Sequence, residues 1–182
     1  EERLPGVKYS LGHAVNPILR EYRRAAATAL DASIKPLMQS HLEDFEQRLR
    51  GLGFLGTPLM VTHVTGGVLH FAEMVARPLY TVDSGPVMAP VAAQAYMSSE
   101  FAEAGGDAVI VETGGTSFDV SLLRGGDLVY AREKWLGPRY IGHMTGLPAV
   151  DCQSIGAGGG SIAWVDPGGL LIPDFTLANY VT

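Results

Sequence analysis

Val109-Ile-Val-Glu112-Thr113-Gly114-Gly115-Thr116-Ser117-Phe118-Asp119-Val-Ser-Leu122 joins two apolar, β-like runs through a turn with an acid on either side. Ala108 to Glu112 reads as one strand. Ser117 to Leu123 alternates as a second, with Phe118, Val120 and Leu122 on one face. The turn between them exposes successive backbone N–H groups, and Gly114 and Gly115 let a phosphate approach with no Cβ in the way. Thr116 and Ser117 add hydroxyl donors. Glu112 and Asp119 stand where they could hold a hydrated magnesium ion against phosphates or orient a nucleophile. A Gly-Gly turn alone is a hairpin signal. An acid at the strand end, Gly-Gly-Thr, and a second acid four residues after the last glycine are more specific.

A second glycine-rich loop follows a β-like stretch near 149–155. In Ser154-Ile-Gly156-Ala-Gly158-Gly159-Gly160-Ser161 the near-absence of side chains gives a flat surface that can lie against a base or ribose. Apolar β-like residues follow it, so it lacks the strand–turn–helix setting of a dinucleotide fingerprint. Taken alone, it reads equally well as a sharp chain reversal. Gly125-Gly126 marks a hairpin, with a further strand over 128–133. Residues 162–165 and 170–172 form a last hairpin around Pro167-Gly168-Gly169.

Upstream the texture is helical. Residues 1–15 read as irregular. Asn16-Pro17 reads as a helix start, and Ile18, Tyr22, Ala26, Leu30, Ile34, Leu37, Leu42, Phe45, Leu49 and Leu52 form an apolar stripe at helical spacing. Pro36 is expected to kink or divide this helix, and Gly51 and Gly53 to stop it. Leu59 to Val64 reads as a strand, 71–76 as a helical turn, Leu79 to Val82 as a second short strand, and 87–100 as a helix with Pro90 in its first turn. Helices first and a strand meander after give an α+β or mixed α/β class.

Composition narrows the function. The 182 residues are 47% hydrophobic and 18% charged, ample for a packed core and unlike a disordered chain. Thirteen Lys and Arg against nineteen Asp and Glu give a net charge of −6, which disfavours nucleic acid and anionic membranes as partners. The basic cluster Arg20, Arg23 and Arg24 reads as a solvated helix face. Cys152 is the single cysteine, so neither a disulfide within the chain nor a multi-cysteine zinc site can form. It reads as a small buried hydrophobe. No apolar run reaches membrane-spanning length and no leader is evident, so a soluble cytoplasmic protein is the expectation. The five histidines lack metal spacing; His63 and His143 stand out by their glycine-rich surroundings. Trp135 and Trp164 read as packing residues.

The two glycine-rich segments together resemble the hydantoinase A / oxoprolinase family. Arg20-Glu-Tyr-Arg23, Thr65-Gly66-Gly67 and Ser84-Gly85-Pro86 support the likeness over nearly the whole chain. Trp135-Leu136-Gly137 and Gly142-His143 resemble the acetone and acetophenone carboxylase branch. The resemblance implies a mixed α/β, actin-like ATPase fold built from ribonuclease-H-like domains, here only in part, with a first lobe over 1–85, a connector helix over 86–106 and a second-lobe β meander over 107–182. It implies ATP and magnesium, with Gly114, Gly115 and Thr116 as a phosphate loop, joined by Ser117. Gly156, Gly158, Gly159, Gly160 and Ser161 would face the adenosine, and Glu112 and Asp119 would organise metal and water. The implied chemistry is phosphorylation of a carbonyl substrate (a ketone, lactam or hydantoin), completed by partner subunits. Three departures stand beside it. Glu112 replaces an expected Asp, the first phosphate loop is not present, and Ile172 onward resembles a segment from beyond a longer loop, with Leu177 at an expected Asp. A discontinuity near 171–172 is therefore expected. The rival reading is a degenerate, non-catalytic scaffold copy; a sugar or acid kinase of the same fold is a third.

Overall fold

The computed structural model describes residues 6–56, 58–100, 106–137, 140–169 and 171–175. The chain divides into two compact units, Glu1–Gly85 with Tyr130–Val150, and Pro86–Val129 with Asp151–Thr182. Residues 130–150, read from sequence as second lobe, pack with the first unit instead. The helix from Pro86 belongs to the second.

The first unit is built on α2 (Glu21–Gly51), preceded by the short α1 (Gly12–Val15). Asn16 does not start the long helix. It caps the end of α1, is buried, and donates from Nδ2 to Gly146 O at 2.8 Å. Pro36 does not divide α2. Pro36 and Ala32, whose carbonyl loses its helical donor, both lie on the exposed side, so water can take the released group. The helix ends as expected. Gly53, at φ +86°, donates to Arg50 O, and Phe54 N–H reaches back to Leu49 O, the two bonds of a Schellman stop.

The apolar stripe is only in part the face α2 buries, Leu42 being its one buried member. Leu30 and Ile34 pack on the core, but Tyr22, Leu37, Phe45 and Leu52 are exposed. The buried positions are Ala27, Asp31, Lys35 and Leu42. Asp31 and Lys35 form an ion pair at 3.1 Å. Asp31 also accepts the Ser10 hydroxyl and the Leu79 N–H, while Lys35 donates to the carbonyls of Tyr9 and Ala76. Every bond of this pair ties the helix to another segment.

Next come β1 (Met60–Thr62) and β2 (Val68–His70), an antiparallel hairpin, then α3 (Phe71–Ala76). Leu79 to Val82 is not a strand. Pro78–Thr81 is a 3-10 helix, with Leu79 N–H held by Asp31. Two apolar clusters close this unit: Val15, Ala27, Leu79 and Leu147, and Leu42, Phe71 and Met74.

Next in the chain is α4 (Ser84–Glu100), which belongs to the second unit from Pro86 onward. Pro90 lies inside it rather than in its first turn. The carbonyl it leaves without a helical donor is that of Pro86, which the Cys152 thiol approaches at 3.9 Å. Then come β3 (Ala108–Thr113), β4 (Phe118–Arg124) and β5 (Asp127–Leu128). Gly125 and Gly126, at φ +59° and +84°, make the expected two-residue hairpin turn.

The strand expected over 128–133 is split. Its second part, β6 (Tyr130–Ala131), pairs in the first unit with β9 (Ala149–Val150), beside the β7 (Trp135–Leu136) and β8 (His143–Met144) hairpin. Trp135 packs edge-on to Tyr140 there. β10 (Cys152–Ile155) returns to the second unit and pairs with β4, giving the antiparallel order β10-β4-β3. β11 (Ser161–Val165) and β12 (Leu171–Phe175) form the last hairpin. The discontinuity expected near 171–172 falls within β12, where Leu171 pairs with Val165 and Ile172 with Trp164. Trp164 is 45% exposed, so it does not pack as expected. Leu177 lies outside the described residues.

Register decides which face of this four-stranded sheet, with β5 also paired to β4, is buried. Asp119, Ser121, Leu123 and Cys152 share the buried face. Val109, Val111, Leu122 and Ile155 lie on the other face and are exposed. The more polar side of β4 is therefore the inner one. That inversion places a carboxylate inside the sheet's packed face.

Candidate phosphate-binding site

The turn between β3 and β4 is held open by very little. Thr113 pairs with Phe118, and Gly114 N–H donates to Ser117 O at 2.9 Å. Among the described residues no acceptor meets the N–H of Gly115 or Thr116. Both residues are exposed, and a Cβ placed on Gly115 would meet nothing within 4 Å. The amides therefore point into free space and not into packed side chains.

The second glycine loop lies directly against this turn. Gly159 N–H donates to Gly114 O at 2.8 Å and Gly160 N–H to Gly115 O at 2.9 Å. A Cβ on Gly158 would stand 2.7 Å from Gly114 O, Gly115 C and Ser117 N, all backbone atoms that cannot yield cheaply. Ser161 folds the loop on itself, its hydroxyl accepting Gly158 N–H at 3.1 Å. Gly156 is exposed at its entrance. Gly158 is thus required by backbone-to-backbone contact, and the amides of Gly159 and Gly160 are spent on the turn.

The two acids are direct cross-strand partners, Glu112 opposite Asp119, with Ser154 opposite Asp119 on the far side. Glu112 is exposed. Asp119 is 6% exposed; its Oδ2 accepts the Ser117 hydroxyl at 2.9 Å, and its Oδ1 is buried with no hydrogen-bond partner among the described residues. A buried carboxylate oxygen without a partner calls for a cation or a water. Among the described residues no group of three or more His, Cys, Asp or Glu is placed to hold a metal. One or two carboxylates beside phosphate oxygens suit magnesium, which keeps most of its water.

Sequence reasoning did not foresee the docking of the two loops or the place of Ser154. Three consecutive glycines were the available signal for the first; strand pairing, absent from a linear pattern, was needed for the second.

His63 sits apart, in the first unit. It is buried against Tyr80 at 4.5 Å between ring centroids, and its Nδ1 accepts the Thr65 N–H, which leaves the proton of the neutral ring on Nε2. Burial, and then the Arg77 charge, lower its pKa below 6.5. His143 is exposed in β8.

The Hydantoinase/oxoprolinase family model matches residues 24–173. The chain belongs to the hydantoinase/oxoprolinase family. It is 34% identical over 169 residues to the caprolactamase subunit alpha of Pseudomonas jessenii, covering 92% of this chain and 23% of that subunit. It is 31% identical over 159 residues to the acetophenone carboxylase gamma subunit of Aromatoleum aromaticum, covering 87% of this chain and 20% of that subunit. Its fold matches nucleotide-free acetone carboxylase, solved in work on ATP-dependent acetone carboxylation, with a TM-score of 0.66 and 23% identity over 90% of this chain and 22% of that one. The chain thus spans between a fifth and a quarter of these relatives. The mixed α/β fold is part of the actin-like fold of this hydantoinase/oxoprolinase family. No helix among the described residues is long and apolar enough to cross a membrane.

Proposed function

We propose that this chain carries part of the ATP site of an enzyme that activates a carbonyl compound by phosphorylation. The observation that supports this reading best is the open turn at Gly114–Ser117, with free amides on one side and a buried, half-paired Asp119 on the other. The Gly115 and Thr116 amides and the Thr116 hydroxyl receive phosphate oxygens. Asp119 Oδ1, with Glu112 across the strand pair, would hold hydrated magnesium, which would neutralise phosphate charge. The surface of 156–161 not used against the turn lies along the nucleoside.

The substrate is a ketone, lactam or hydantoin, as the relatives' names suggest. Its enolate or carbonyl oxygen forms a bond to the γ-phosphorus of ATP, and the bond to ADP breaks, with ADP leaving as the anion. A ketone gives up an α-proton to water in forming the enolate, and a lactam or hydantoin gives up its N–H proton to water after the transfer. The phosphorylated oxygen is a far better leaving group, and partner subunits of a carboxylase or cyclic amide hydrolase complete the carboxylation or hydrolysis. The setting is the cytoplasm, where ATP is abundant.

Asp119→Ala in the complete enzyme is expected to abolish ATP turnover and leave the fold intact by circular dichroism. Wild-type turnover in that variant contradicts the assignment. Glu112, a longer and exposed acid where the family carries Asp, favours the rival reading of a scaffold copy without catalysis. That copy gives no magnesium-dependent heat on titration with ATP.

A further inference from the structure

We infer that Ser117 is a positioning residue for Asp119 and does not itself hold phosphate, an inference that rests on the nucleotide reading of this turn. Ser117 is fixed on both sides of its backbone. Its carbonyl accepts Gly114 N–H at 2.9 Å, and Gly158 closes against its nitrogen so tightly that a Cβ there would stand 2.7 Å away. The hydroxyl donates to Asp119 Oδ2 at 2.9 Å. A serine hydroxyl has one proton. Spent on Asp119, it cannot be given to a phosphate oxygen.

The consequence falls on the carboxylate. With Oδ2 held, Asp119 keeps one defined orientation, and the oxygen it leaves free is always Oδ1, buried and without a partner among the described residues. A carboxylate released from Ser117 could rotate and exchange its oxygens, so the group facing the phosphates would no longer be fixed. Thr116, exposed at the turn with no hydrogen-bond partner among the described residues, is the hydroxyl left for phosphate. Neighbouring hydroxyls thus take different tasks, one on the ligand and one on the acid.

The test is steady-state ATP turnover by the complete enzyme, with ATP and magnesium varied separately, for Ser117→Ala, Ser117→Thr, Thr116→Val and Asp119→Asn, together with calorimetric titration of magnesium in the presence of ATP, where Ser117→Ala is expected to weaken magnesium binding and unchanged magnesium binding overturns the inference. Ser117→Ala is expected to lower kcat about 10- to 100-fold, the usual loss when an outer partner of a ligating group is removed. The KM for ATP stays near the wild-type value and the magnesium requirement rises. Ser117→Thr restores most of the rate, and Thr116→Val raises KM instead. An unchanged kcat in Ser117→Ala overturns the inference. So does a raised KM with kcat intact, which makes Ser117 a phosphate ligand, or an equal loss in the Ala and Thr variants. Wild-type turnover by Asp119→Asn removes the nucleotide reading itself, a separate failure.

Discussion

At Gly158 a side chain has nowhere to go, while at Gly115 it would meet only open space. The two glycines therefore answer different demands, and substitution separates them. Gly158→Ala drives a methyl into three backbone atoms and parts the loops, at a cost of about 1–3 kcal/mol by the usual scale of overpacking. Urea denaturation of the variant is expected to show that loss, and an unchanged midpoint contradicts the docking. Gly115→Ala is expected to leave stability unchanged and weaken only ligand binding. In the sequence both positions looked alike, as members of glycine clusters. What distinguishes them is a contact between remote segments, and no local pattern encodes it. Glu112 and Asp119 were legible as a pair because the short turn between them forces their strands into register.

The long helix α2 carries its energetic weight on a pair that sequence patterning hides. Asp31 is fully buried beside Lys35 and bonded to Ser10, Lys35 and Leu79. Removing one partner leaves the other as an uncompensated buried charge, at about 3–5 kcal/mol. Asp31→Ala is therefore expected to lower the unfolding free energy by that amount in chemical denaturation; a loss below about 1 kcal/mol, the value of an exposed pair, contradicts the account. Helix existence, its C-terminal stop and the β3–β4–β5 hairpins followed from spacing and glycine placement. The buried face did not, because a satisfied ion pair took the place of the apolar stripe. The 3-10 helix at Pro78–Thr81 was misread as a strand for a related reason. Leu79, Tyr80 and Val82 look β-like, but the Asp31 carboxylate claims the Leu79 N–H.

On the scale of the whole molecule, stability is expected to depend on pH through His63. Its folded pKa lies below 6.5, so in the window between the two values the unfolded chain binds a proton that the native ring does not. Stability is then fully present above this window and falls as pH drops through it. Wild-type Tm is expected to decline from about pH 7.5 to about pH 5.5, with a shallower decline in His63→Asn. Equal slopes in the two proteins exclude His63 as the cause. The membership of 130–150 in the first unit was not legible, since its short strands pair with partners distant in sequence. The glycine loops that define the site were legible because their chemistry is local.

The turn at Gly114–Ser117 is expected to receive the phosphates of a nucleotide. Calorimetric titration of the complete enzyme with ATP, with and without magnesium, tests it in the wild type and in Gly115→Val. The expected result is magnesium-dependent binding in the wild type, weakened at least about tenfold in the variant, or about 1.4 kcal/mol, with no change in Tm. Identical isotherms for the two proteins, or no magnesium-dependent heat in the wild type, contradict it.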